Sequence, residues 1–595
     1  MNYSHLNEEF SEKCLLELPW HIVNTISLYE RMDVSFNRLS FLPAEMPLRI
    51  PHLSYLNVSY NQLTDLPNSF GLFFHLKTLL LANNKLAKLP SSFTRLSSLE
   101  KLDLAHNALE ELPDRIGFMP SLRAVNVSHN RLRHLPASLG SENMQVLLAQ
   151  NNSCDNPPQS VCNEGSAATL KCLRRYHMKD PTKEKLDRLN VFPRVRGNVL
   201  QSSVSNPDSA RAQYLQLQTA TLNTASRIKT PLLLPPGATV LPLDDLRDKI
   251  LGMVYGAAIG DALGVATKFM EADECRFHYD PDTLTYADII RDKYRVMWKK
   301  GDWSTDFDQV VLVLDSIIHW AGVVDELDFA MRLHNWTKHG FPELEDTEGV
   351  VVSNTLAKVL RDENYLQKPH MVAAHVLEQY NNMSSTANGD VTVDTNLTDL
   401  DDNAALARSL ILGIPYFHNL QEVTENCVRI CKASHAHPLC IASAVTIAVI
   451  VALMLQGRHA MDSLSSVEEL LSQAKHHGMQ QLQSPKHRRE YEAHANMKSL
   501  DSVDVTEPGR QSFTLKPVAA AVISLRSRKD FRSGLLDVIM RGGDANCNAT
   551  LTGAMLGCVC GYSKLTKEWL TGLRTQQRSW LDIKVNLLLD MMGIP

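Results

Sequence analysis

Hydrophobic and polar positions change rhythm twice along this chain. Through the first quarter, an apolar-x-apolar-x-x-Asn-x-Leu step recurs every 23 to 24 residues, as in Leu56-x-Val58-x-x-Asn61-x-Leu63 and Leu102-x-Leu104-x-x-Asn107-x-Leu109. The asparagines fall at Asn37, Asn61, Asn84, Asn107 and Asn130, with Asn151 closing the series. A Leu-Pro pair recurs at Leu18-Pro19, Leu42-Pro43, Leu66-Pro67, Leu89-Pro90, Leu112-Pro113 and Leu135-Pro136. The alternation predicts one short strand per unit, with apolar side chains in a shared core, and each Leu-Pro pair stops the ladder. From about Lys171 to Pro242 the rhythm is lost and Ser, Gln, Asn, Thr and Pro dominate, which predicts a flexible connector. Beyond Leu246 the apolar runs reach helical length, as in Ile250 to Ile259, Val310 to Trp320 and Ala545 to Val559, with little strand-like alternation. Two polar stretches, Asn381 to Asp402 and Met461 to Gln511, are expected to be surface loops. The expected organisation is multidomain: a repeat domain over 15–160, a largely flexible polar linker over 161–242 and a helical domain over 243–595.

The repeating unit resembles the leucine-rich repeat family, which implies an α/β solenoid of short parallel strands. A buried Asn side chain suits such a unit, because its amide can bond backbone groups where the chain turns. Outward-facing strand positions are expected at Asp33 and Ser35, Asn57 and Ser59, Leu80 and Ala82, Asp103 and Ala105, Asn126 and Ser128, and Leu147 and Ala149. That concave strip is small, polar and nearly uncharged, and the resemblance implies a protein partner on it; a solenoid serving stability alone is the alternative. Cys154 and Cys162 follow the last repeat and are expected to be free thiols. The basic residues Lys171, Arg174, Arg175 and Lys179 read as a solvated stretch.

In the helical part, three clusters combine glycine with acid near a helix start: Gly260-Asp261-Ala262-Leu263-Gly264, Gly301 to Gln309, and Gly542-Gly543-Asp544-Ala545-Asn546-Cys547-Asn548. Any one of them could be a helix cap; together they could hold anions on free N–H groups and cations on carboxylates. With His339 to Leu344, Asn403 to Arg408, Ser434-His435-Ala436-His437-Pro438 and Gly553 to Gly557, they resemble the ADP-ribosylglycohydrolase family from about Leu246 onward. The resemblance implies an all-α fold around a cleft, two magnesium ions holding the ribose and the attacking water, and an ADP-ribose-type small molecule or ADP-ribosylated protein as ligand. It places ligand-binding positions on Asp261, Gly264, Asn403, His435, Gly542 and Gly543, and metal positions on Ser304, Thr305, Asp306, Asp544, Asn546 and Cys547. The family's catalytic Glu falls on Lys268.

Magnesium takes hard oxygen ligands, and paired ions must be offset by several carboxylates. Of the metal positions, only Asp306 and Asp544 keep carboxylates. Five family carboxylates become two carboxylates and a lysine, so the formal charge moves from −5 to −2 + 1 = −1. A lysine about 5 Å from a divalent ion, at an effective dielectric near 20, opposes it by about 7 kcal/mol before screening. Lys268 is expected to fill the vacated cation site, paired with Asp306 and Asp544, and hydrolysis is expected to be lost or weakened; a Lys268 turned to solvent is the alternative. Asp302 and Asp308 read as cap or surface carboxylates able to replace one lost ligand, and His435 as a structural histidine. Competing functional readings are an active magnesium-dependent ADP-ribosyl hydrolase with an altered centre, and a non-enzymatic protein scaffold.

Composition narrows the classes further. A net charge of −6 over 595 residues gives no pull toward nucleic acid. The 44% hydrophobic and 21% charged fractions fit a folded chain. Eleven scattered cysteines and a first segment without an apolar core predict a cytoplasmic protein, with the nucleus as the alternative. The apolar run Leu439 to Leu455, interrupted by Ser443 and Thr446, is shorter than the ~20 residues of a membrane span and predicts a buried helix. Cys427, Cys431, His435, His437 and Cys440 are zinc-ligand types, but their spacing does not predict convergence on one ion.

Overall fold

The computed structural model describes residues 29–177, 232–346, 348–351, 353–386 and 400–594, with positions 7–9, 11, 13–16 and 18 before them. The chain divides into two compact units, residues 1–227 and 228–595.

Among its described residues the first unit has a parallel sheet of seven three-residue strands in sequential order: β1 (Asn7–Glu9), β2 (Arg31–Asp33), β3 (Tyr55–Asn57), β4 (Thr78–Leu80), β5 (Lys101–Asp103), β6 (Ala124–Asn126) and β7 (Val146–Leu148). The repeating asparagines hold it together. Asn84 accepts from the N–H of Leu63 (3.0 Å) and donates to the carbonyls of Val58 (2.9 Å) and Leu81 (3.0 Å), thereby joining adjacent repeats. Asn37, Asn61, Asn107 and Asn130 do the same for the N–H groups of Leu15, Leu39, Leu86 and Leu109. At the end of the array the expected register is one residue off. Asn152, not Asn151, accepts from Leu132 (3.1 Å) and donates to Val127 (2.9 Å). Asn126 pairs with Leu148, so Leu147 and Ala149 face the core and Leu148 takes the outward register. Two consecutive asparagines satisfy the same periodicity; only strand pairing chooses between them.

The repeat unit also runs past both expected limits. Strand β1 pairs with β2 ahead of residue 15. Beyond 160, helices α1 (Gln159–Asn163) and α2 (Ser166–His177) close the far end instead of opening a linker. Cys162, Leu170 and Leu173 are buried there, Ser166 Oγ accepts the N–H of Leu147 (2.9 Å), and Arg174 donates to the carbonyl of Met144 (3.2 Å). These bonds satisfy groups on the last repeat that would otherwise lack partners. The rest of the expected linker up to 231, Lys179 included, lies outside the described residues. Residues 232–242 belong to the helical unit, where Thr239 Oγ1 donates to the carbonyl of Leu455 (2.8 Å).

The second unit is helical, with one isolated β-bridge among its described residues. The helices used below are α3 (Leu243–Gly264), α4 (Thr305–His319), α5 (Pro438–Gln456), α6 (Leu464–Met479), α7 (Pro485–Ala495), α8 (Leu515–Ser527) and α9 (Ala545–Cys560). Every residue of α5 from Leu439 to Gln456 is buried, as expected of a helix apolar on all sides. The stretch Met461 to Gln511 is not a loop. Its sparse apolar residues Val467, Leu470, Leu471 and Ala474 fall on one face of α6, and Tyr491 anchors α7. The other expected loop begins inside the helix Pro369–Thr386, and 387–399 lie outside the described residues.

Helices α3 and α9 cross with their backbones in contact. A Cβ added to Gly256 would sit 2.2 Å from the carbonyl oxygen of Gly553, and one added to Gly553 would sit 2.1 Å from that of Gly256. Gly252 and Gly557 repeat the arrangement one turn away, and at Gly264 a Cβ would lie 2.5 Å from the Cα of Asn546. Glycine every fourth residue on one face permits this approach. Gly256→Val should therefore destabilise the helical unit by about 3 kcal/mol or more, read as the loss in thermal midpoint and unfolding free energy.

Candidate functional site

The α3–α9 crossing delivers its chemistry at one end. After Gly264 a 3₁₀ turn, Val265–Thr267, releases the chain into Lys268. Arg295 clamps this segment by donating to the carbonyls of Ala266 (2.7 Å) and Lys268 (2.6 Å). On the other side, Phe269 N donates to the Gly543 carbonyl (2.5 Å) and Gly543 N to that of Met270 (2.9 Å). Both Gly542 (φ +76°) and Gly543 (φ +64°) adopt left-handed backbone, and a Cβ on them would strike the Met270 and Val505 carbonyls. Gly264, Gly542 and Gly543, placed by the resemblance among ligand-binding positions, here position backbone against backbone.

The Lys268 side chain turns inward and is 6% exposed. Its Nζ donates to Asp544 Oδ1 (2.7 Å) and Asn546 Oδ1 (2.5 Å) and stands 4.7 Å over the Phe269 ring. The amide nitrogen of Asn546 then donates to Asp306 Oδ2 (2.8 Å) and Ser304 Oγ (2.9 Å). The expected direct pairing of Lys268 with Asp306 is thus replaced by a relay: ammonium to amide oxygen, amide nitrogen to carboxylate. An amide with one acceptor and one donor end fits between those charges; a carboxylate would face Asp306 with like charge.

Asp261 is fully buried. It accepts from Ser304 N (2.5 Å), Ser304 Oγ (2.7 Å) and Phe307 N (3.4 Å), capping the first turn of α4 from a neighbouring helix. Asn403 donates to Asp544 Oδ2 (3.0 Å). The Cys547 thiol is buried 4.0 Å from the Asn403 carbonyl, and burial pushes it well above the usual thiol range. The two alternative ligands have other partners: Asp302 pairs with Arg574 (2.9 Å), and Asp308 accepts from the Trp303 indole (3.0 Å). Among the described residues, no three His, Cys, Asp or Glu side chains are arranged to hold a metal. Of the candidate zinc-type residues, Cys431 Sγ points to the His435 carbonyl, Cys440 Sγ to that of Asp402, and His437 caps α5.

The four central groups respond to this packing differently. Burial pushes Lys268 down, but Asp544 and Asp306 outweigh it and hold the ammonium above its usual range. Burial raises Asp544, and Lys268 outweighs that and holds it low. Burial and the neighbouring Asp261 push Asp306 well above the ordinary carboxylate range. Asp402, absent from the sequence-based candidates, is raised by burial but brought down to about 2 by His435, Thr355 and the Ala404 N–H. His435 is buried, with its ring between Ser434 Oγ (2.8 Å) and Asp402 Oδ1 (3.0 Å), which fits a structural histidine. The adjacent Asn403 to Arg408 motif was legible, and the acid just before it was the available signal.

Lys268, Thr305, Asp306, Asn403 and Asp544 line a cleft of about 270 Å³, together with the apolar Phe269, Trp336 and Leu356 and the polar Asp402, Arg510 and Ser512. Asp261, Gly264, Ser304, His435, Gly542, Gly543, Asn546 and Cys547 stand behind that surface. A concave site with apolar walls and a few convergent polar groups is suited to a small polar ligand.

The sequence model of the ADP-ribosylglycohydrolase family matches residues 242–592, and that of the leucine rich repeat matches 30–86 and 74–132. An uncharacterized protein of Archaeoglobus fulgidus is 24% identical over 334 residues, 56% of this chain and 93% of its own length. An ADP-ribosylarginine hydrolase of Serratia proteamaculans is 23% identical over 57% of this chain and 79% of its own. The ADP-ribosyl-[dinitrogen reductase] glycohydrolase of Rhodospirillum rubrum is 21% identical over 59% and 98%.

The pH response of the site follows from these directions. Asp306 is held above its unfolded value, so its ionisation opposes folding; Asp306→Asn should raise stability near pH 7 to 8, a gain that shrinks as pH falls toward the ordinary carboxylate range. Asp402 is held below its unfolded value, so its contribution is present above the ordinary carboxylate range and lost as pH falls toward about 2. Thermal midpoints of wild type, Asp306→Asn and Asp402→Asn across pH 3 to 8 test both signs; a destabilising Asp306→Asn at neutral pH contradicts the first.

Proposed function

Because this chain belongs to the ADP-ribosylglycohydrolase family, we propose that its helical unit binds an ADP-ribose-type ligand without magnesium and with hydrolysis lost or weakened, while its leucine-rich repeats carry a protein partner. The names of the Serratia and Rhodospirillum relatives support an ADP-ribosyl group as the ligand chemistry. The observation that carries the loss of metal is the Lys268 ammonium, buried and bonded to Asp544 and Asn546.

The residues present do not fit magnesium. The ion needs a near-octahedral shell of oxygens. Here Asn546 Oδ1 and Asp544 Oδ1 are taken by the ammonium, and Ser304 is committed to Asp261. Cys547 offers soft sulfur in place of a hydroxyl. Magnesium, where bound, would supply a hold on ribose and polarisation of water; here the chain's own groups can bind and orient a ribosyl ligand, while the two carboxylates kept at the metal positions are engaged by neighbouring side chains. Lys268 stays protonated, Asp544 is its counter-ion, and Asp306 is committed to Asn546. The cluster preserves the fold by supplying internally the positive charge that its carboxylates require.

The proposed compartment is the cytoplasm, with the nucleus as the alternative; its support is that the eleven cysteines are scattered along the sequence without a dense framework. For the repeats, the support for a protein partner is the family pattern and the ladder of strands that presents one continuous face.

Calorimetry of the full chain with ADP-ribose, with and without magnesium, tests the reading. Binding of equal strength in both conditions is the expected result; binding only with magnesium would favour an active hydrolase, and no binding would favour a protein scaffold. The combined substitution Lys268→Glu, Thr305→Asp and Asn546→Asp should create magnesium affinity that the starting protein lacks. Release of ADP-ribose from modified arginine or serine by the unmodified protein would end the proposal.

A further inference from the structure

One cation in the cleft wall is not committed as Lys268 is. Arg510 lies on the loop Gly509–Phe513, which is fixed by bonds from Asn403 N to the Ser512 carbonyl (2.9 Å) and from Thr514 N to the Asp401 carbonyl (3.0 Å). Its guanidinium stacks 3.8 Å from the centre of the Phe513 ring, which fixes the plane of the group. Only Nη2 meets carboxylates, Glu490 at 3.1 Å and Asp401 at 3.4 Å, both longer than the usual charge-assisted bond. Nε is sealed from solvent and out of a ligand's reach, while the side chain as a whole keeps 32% of its surface exposed in the cleft wall. Beside the loop there is room: a Cβ built on Gly509 would have no atom within 4 Å.

We infer that Arg510 receives the phosphate of the ligand, a specificity contact that selects phosphate-bearing ribosides over bare nucleosides. The inference rests on the reading above that this cleft takes an ADP-ribose-type molecule. Lys268 and Arg510 are the two cations among the described lining residues, and Lys268 is held by Asp544 and Asn546. Phosphate oxygens therefore have Arg510 as their counter-charge, and its planar fork matches their geometry. Glu490, already at Nη2, competes with the phosphate. Its removal should act in the opposite direction from removal of Arg510.

The test is calorimetry of the full-length wild type, Arg510→Gln and Glu490→Gln with ADP-ribose, adenosine and inorganic pyrophosphate. Arg510→Gln should weaken ADP-ribose and pyrophosphate by roughly ten- to a hundredfold and leave adenosine unchanged. Glu490→Gln should tighten both phosphate ligands, a gain that a misfolded variant could not produce. Equal ADP-ribose affinity in wild type and a folded Arg510→Gln overturns the phosphate contact and leaves the ligand class standing. Arg510-dependent pyrophosphate binding without ADP-ribose binding upholds the contact and overturns the ligand class. A wild type that binds neither phosphate ligand overturns both.

Discussion

Helices α3 and α9 meet backbone to backbone, and the arrangement of the cleft depends on that contact. Side chains between two helices normally keep their axes about 8 to 10 Å apart. Glycines at every fourth position remove that spacer, so the end of α3 arrives beside the start of α9. Only at such a distance can a lysine leaving α3 reach Asp544 and Asn546 on α9 and remain buried. The same contact puts Asp261 within reach of Ser304, which fixes the first turn of α4 and the position of Asp306.

The substitutions in this cluster compensate one another chemically. A lysine at 268 alone would be an uncompensated buried charge; with Asp544 it is a buried pair, and pairs of that kind endure when their remaining donors and acceptors are satisfied. Asn546 supplies that satisfaction in both directions, accepting from the ammonium and donating to Asp306 and Ser304. The result is a buried hydrogen-bonded network in which one ammonium and one amide satisfy the carboxylates around them.

In the repeat unit the governing constraint is also a buried amide, used differently. Each ladder asparagine bonds the backbone of its own turn and that of the preceding repeat, so the array gains cohesion through identical contacts at every repeat in addition to its continuous apolar core. The exposed end of such an array needs closure, and α1 and α2 supply it with Ser166 and Arg174.

Sequence by itself determined the class of both units, the place of the repeats and the three glycine-acid clusters, and it showed few carboxylates where the resemblance places metal ligands. These follow from periodicity and residue type, which are local properties of the chain. Tertiary structure alone decided the rest. It selected Asn152 over Asn151 through strand register, folded a polar stretch into α6 and α7 against the core, and turned 161–177 into a cap. It also brought Asp402 to His435, relayed Lys268 to Asp306 through Asn546, and set Arg510 in the cleft wall beside Glu490 and the Phe513 ring. Each of those outcomes depends on residues distant in sequence becoming neighbours, and a one-dimensional pattern holds no information about which side of a helix or strand will meet which partner.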